Sequence, residues 1–84
     1  MAIEKDFEKK LSRQYPPSAR IDETFRGNDI TIITDQDGDA VLLFIGIRKK
    51  DGTIKGERYA RRILKKEGSE DIIKSHWDLK GRTS

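Results

Sequence analysis

Residues 56–68 read GERYARRILKKEG, and the fold turns on whether they form a strand or a helix. As a helix they would place Tyr59, Ile63 and Lys66 on one side and use Gly68 as the C-terminal stop. As a strand they must alternate in step with their neighbours. The neighbours favour the strand. Runs of period two occur at residues 21–26, 29–34, 40–49 and 71–79, with 53–66 completing a set of five. The gaps between them carry turn residues: Gly27-Asn28, Asp37-Gly38, Asp51-Gly52 and Gly68-Ser69. Asp-Gly between β-like runs is a strong hairpin signal, because both residues tolerate positive φ.

Treating each pair as a two-residue loop fixes a register. Phe25 then faces Ile30, Ile32 faces Leu43, and Ile30 faces Ile45. Leu43 faces Ala60, Ala60 faces Trp77, and Leu64 faces Ile73. All fall on one face of one sheet, which a one-residue slip would destroy. The run 40–49 is apolar on both faces, with Val41, Leu43, Ile45 and Ile47 on one and Leu42 and Phe44 on the other. It is therefore expected at the centre. Gly46 and Gly56 fall nearly level across the Asp51-Gly52 hairpin, and glycine inside a strand often marks a bend.

Ahead of the strands, Ile3, Phe7 and Leu11 recur every four residues, with Tyr15 next in step. That stripe predicts a helix over roughly residues 3–14. Acids precede lysines along it, which suits the helix dipole, and Pro16-Pro17 ends it. The expected fold is α+β: a short N-terminal helix packed on a curled five-stranded antiparallel meander. This layout resembles the small SH3-like and Sm-like barrels in architecture alone, since neither family's diagnostic motifs are present.

At 84 residues the chain makes a single domain, residues 1–84. With 33% hydrophobic and 39% charged residues its core must be lean. The absence of cysteine removes disulfides and thiolate chemistry. The apolar run from Ala40 to Ile47 is too short to span a bilayer, and MAIEKDFEKK lacks the apolar stretch of a signal peptide. A cytoplasmic protein with no membrane partner is expected. Residues 1–46 carry a balance of −3 and residues 47–84 a balance of +6.

Chemistry-bearing motifs are few. DQDGD at Asp35–Asp39 has the alternating carboxylates of half a calcium loop, but AVLLFIGI follows where further oxygen ligands would be needed. A hairpin turn is the expected role, and neither metal nor cofactor is expected. His76 is the single histidine, expected across from Arg61; with Asp78 or Asp71 it could form a general-base pair, although an ordinary half-exposed side chain is favoured. No nucleophile or phosphate-loop motif occurs, so an enzyme is not expected.

The remaining feature is the second face of the sheet. The register above places Phe44 opposite Tyr59 there, with Arg61, Lys74 and His76 nearby and Arg48 and Lys55 further along. Such a face suits a non-catalytic module that binds a protein partner or a second copy of itself. The alternative is single-stranded nucleic acid, with bases stacked on the rings and phosphates held by the cations.

Overall fold

The computed structural model describes residues 5–68 and 72–83. A helix, α1 (Lys5–Leu11), precedes five strands: β1 (Arg20–Phe25), β2 (Asn28–Thr34), β3 (Ala40–Arg48), β4 (Ile54–Lys65) and β5 (Ile72–Thr83). They form one antiparallel sheet in the order β1-β2-β3-β4-β5. Residues 57–65 are thus strand, and the helical alternative for GERYARRILKKEG is excluded. Among the described residues β1 and β5 do not pair, so the sheet is open and the barrel is not closed. No described helix is long and apolar enough to cross a membrane. Ile3, Ser69 and Asp71, which the sequence reading used, lie outside the described residues.

α1 buries Phe7 and Leu11, one turn apart on one stripe. It stops three residues before the expected end because the chain changes partner. The Tyr15 amide donates to the Gly38 carbonyl at 2.9 Å, and Gln14 bridges to Asp39. Phe7 stacks on Phe25 with centroids 4.6 Å apart. Lys10–Glu23 at 2.8 Å and Arg26–Asp6 at 2.7 Å flank that contact.

Each hairpin departs from the two-residue assumption in its own way. The β1–β2 loop is Arg26-Gly27, both at positive φ, one residue earlier than expected. Positive φ at both central residues defines a type I′ turn. Phe25 therefore pairs with Asn28, and Glu23 takes the place opposite Ile30. This slip of two preserves the faces. In β2–β3 the expected pairs Ile32–Leu43 and Ile30–Ile45 are present, and an irregularity at Ile33/Thr34 absorbs the extra turn residue.

The β3–β4 loop has three residues, Lys50, Asp51 and Gly52. Gly52 sits at φ 90°, its amide donates to Lys49 O at 3.0 Å, and Lys49 N donates to Thr53 O at 2.7 Å. A type I turn with a glycine bulge makes this length. The extra residue turns β4 over. Tyr59, not Ala60, pairs with Leu43 and joins the core, while Ala60 pairs with Leu42 on the second face. Between β4 and β5 a second one-residue difference follows: Arg61, not Ala60, pairs with Trp77, and Leu64 pairs with Lys74, not Ile73. The two differences cancel on β5, so Trp77 returns to the face of Leu43.

That first face holds the core. Leu11, Ile30, Ile32, Ala40 and Leu43 are fully buried, with Phe7 and Tyr59 nearly so; Tyr15, Ile21, Phe25, Ile45 and Trp77 close its margins. Gly46 and Gly56 pair directly. A Cβ on either would run into backbone of the facing strand: Lys55 O for Gly46, Ile45 O for Gly56. The strands can approach this closely only because both lack side chains. Beyond that level Ile54 is buried while Ile47 is exposed.

Candidate functional site

The second face carries Thr31 and Ile33 from β2, Leu42 and Phe44 from β3, Arg58 and Ala60 from β4, and Lys74, His76 and Asp78 from β5. Directly paired residues of an antiparallel sheet share a face, so these positions follow from register. Ile33, Leu42 and Phe44 are half-buried, and no described element covers them. Beside them lies an apolar depression of about 210 Å³, walled by Thr31, Ile33, Phe44 and Ile54, with Arg20 and Thr83 among its lining residues.

The seven residues expected to form one patch are divided between two faces. Phe44, Arg48, Lys74 and His76 lie on the second face. Tyr59 and Arg61 are on the first, and Lys55 pairs with Ile47 on that same side. Phe44 therefore stands opposite Arg58, not Tyr59, and His76 opposite Arg62, not Arg61. The one-residue lengthening of the β3–β4 loop accounts for the division.

Two of the expected cations have structural partners. Arg48 Nη1 donates to Asp22 Oδ1 at 3.1 Å, Thr31 Oγ1 at 3.0 Å and Gly52 O at 3.0 Å, and Nη2 donates to Ile30 O at 2.8 Å. It ties β3 to β2 and to the β3–β4 turn. Asp22 also accepts from Thr31 Oγ1 at 2.7 Å and from Arg20 Nε at 3.2 Å. The Thr31 hydrogen bond, aided by Arg20 and Arg48, holds the Asp22 carboxyl below the ordinary carboxylate range.

Arg61 is buried on the core side. Its Nε donates to Ser75 Oγ at 2.5 Å and Nη1 to Ala40 O at 3.2 Å, and the guanidinium lies 5.8 Å from the Trp77 ring centroid. Burial lowers its pKa, while Asp39, Asp35 and Glu8 act in the opposite sense. Tyr59 is buried too, which raises its phenol pKa. His76 stands out in solvent, its side chain 72% exposed, with Nε2 2.8 Å from Asp78 Oδ1. Arg62 Nε lies 3.4 Å from the other oxygen of Asp78.

The DQDGD segment forms a turn. Asp35 Oδ1 accepts from the amides of Asp37 at 2.9 Å and Asp39 at 3.0 Å. Carboxylate oxygens of Asp35, Asp37 and Asp39 come within 4.8 Å of one another. Lys65 Nζ sits among them, 2.9 Å from Asp37 and 2.7 Å from Asp39. These hydrogen bonds push the Lys65 ammonium above the ordinary lysine range. The chain thus supplies its own cation to the acidic turn. Sequence reasoning missed this contact, because Lys65 and the turn are 28 positions apart.

No family model, no curated protein and no solved structure matches this chain.

Proposed function

We propose that this domain is a non-catalytic interaction module that receives an apolar side chain of a protein partner on its second sheet face. The observation carrying this reading is the depression walled by Ile33, Phe44 and Ile54 beside half-buried Leu42. A concave apolar site with a polar rim suits an anchor residue. Its Thr31 wall is held by Asp22 and Arg48, so little ordering is required on binding.

The experiment is a selection of displayed random peptides on the wild-type domain. Hits sharing an apolar anchor are expected, with binding weakened at least about tenfold by Leu42→Lys and by Thr83→Trp at the rim. Hits indifferent to both substitutions would count against the site.

The nucleic-acid reading retains one supporting observation, exposed Arg58 opposite Phe44. It predicts salt-dependent anisotropy of a labelled single-stranded oligonucleotide, weakened by Arg58→Ala and by Phe44→Ala. The buried state of Tyr59 and the internal bonds of Arg48 weigh against it.

A further inference from the structure

β5 is an edge strand of twelve residues, and it carries Ile72, Ile73 and Leu79 among the exposed large apolar side chains. The opposite edge, β1, has six residues. There the helix guards the strand: Lys10 pairs with Glu23, and Phe7 stacks on Phe25. Long unguarded edges with apolar residues pair with other strands unless charge or irregularity prevents it. The irregularities of β4–β5 fall at Arg58/Tyr59 and Leu64/Lys65. Between them β5 runs in regular register from Lys74 to Leu79, and Ile73, passed over between the pairs Leu64–Lys74 and Lys65–Ile72, is the bulged residue at its end.

We propose that β5 pairs antiparallel with β5 of a second copy of this chain, about a two-fold axis at His76. A two-fold relating neighbouring antiparallel strands runs perpendicular to the sheet, so it pairs residues of like face and centres on a single residue. Three centres lie within the middle of the regular segment. Centring on Ser75 sets Lys74 against His76. Centring on Trp77 sets Lys74 against Lys80. Centring on His76 sets Lys74 against Asp78 twice over and brings Ile73, at the bulge, beside Leu79 twice over. Ile73 is 60% and Leu79 46% exposed in the single chain. This register alone matches opposite charges and covers exposed apolar residues together, and cross-strand pairs of both kinds stabilise a sheet. The result is a continuous ten-stranded sheet with both second faces on one side.

The chain has no cysteine, so single cysteines report the register directly. His76→Cys places a thiol opposite its own copy, where directly opposed Cβ atoms lie about 5 Å apart, close to disulfide range. Lys74→Cys places the two thiols four residues apart along the strands, about 14 Å. Under mild oxidation His76→Cys is expected to form a disulfide dimer at least tenfold faster than Lys74→Cys. Equal rates, or no dimer from either, overturn the proposal. Charge reversal supplies a second readout by sedimentation at up to about 1 mM, where weak contacts populate. Lys74→Asp and Asp78→Lys should each be monomeric alone, because each opposes like charges at both pairs. Mixed, they should dimerise, since both pairs of positions 74 and 78 then join an acid to a lysine. A wild-type chain that remains monomeric, or a mixture that fails to associate while both variants melt cooperatively, overturns it. Leu42→Lys should leave this dimer intact, which separates its outcome from that of the proposed partner site.

Discussion

Leu11 on the helix and Ile30, Ile32 and Leu43 beneath it meet no solvent, whereas Leu64, Ile73 and Leu79 on the β4–β5 hairpin are about half exposed. Both sets are large aliphatic side chains in one small domain. The difference shows how a chain with only 33% hydrophobic residues holds together. Its apolar side chains are concentrated where α1, β2 and β3 meet, and that cluster supports the fold. Those on the hairpin add little burial to the single chain and are free to serve contacts outside it. Stability and association should therefore respond to different substitutions.

The largest effect is expected from Leu43→Ala. Removing a fully buried leucine costs about 2–5 kcal/mol, a large share of the stability of a domain this small. Denaturant melts should show a much lower midpoint. A loss no greater than that of a surface change would erase the contrast between the two regions. Lys65→Met comes next, because it cuts a tie from the hairpin to the Asp37–Asp39 turn. Hydrogen exchange should quicken in residues 62–65 while Ile30 and Ile32 stay protected. The ammonium titrates above the ordinary lysine range, so its contribution is complete below that range and is lost only as pH rises through the raised value. The melting-temperature gap between wild type and Lys65→Met should hold from neutral pH to about pH 10.

Asp22→Asn probes the β1–β2–β3 corner with a smaller effect. A depressed carboxyl stabilises above its unfolded pKa and ceases to do so as pH falls through the folded value. The gap to wild type should be full at neutral pH and shrink between about pH 4 and pH 2. The smallest effect on the single chain is expected from Ile73→Ser. Its midpoint, measured at low concentration, should move by less than about 0.5 kcal/mol. A loss near that of Leu43→Ala would mean that the hairpin belongs to the core after all.

Much of this architecture was legible in residues. The i, i+4 spacing of Phe7 and Leu11, the Ile32–Leu43 pairing and the central place of β3 follow from periodicity and turn chemistry. The faces of β4 were not. Asp51-Gly52 fits a two-residue turn and a three-residue turn with a glycine bulge equally well. The strand offered no correction, because Tyr59 and Ile63 on one side compete with Ala60 and Leu64 on the other. Trp77 came out on the right face only because a second one-residue difference reversed the first. The candidate patch inherited the ambiguity and lost Tyr59, Arg61 and Lys55 to the other face. The anchoring of Arg48 was hidden for another reason: its partners Asp22, Thr31 and Ile30 are brought to it by tertiary structure alone.

The crossing of Gly46 and Gly56 bears on how this chain can vary. At most packed pairs a larger residue on one strand can be offset by a smaller one on the other. Here each missing Cβ would meet the facing backbone, a carbonyl that every amino acid carries. Nothing done at one position can make room at the other. Saturation mutagenesis should find both positions intolerant, each regardless of what occupies its partner, and a search for suppressors of Gly46→Ala should never recover a change at Gly56.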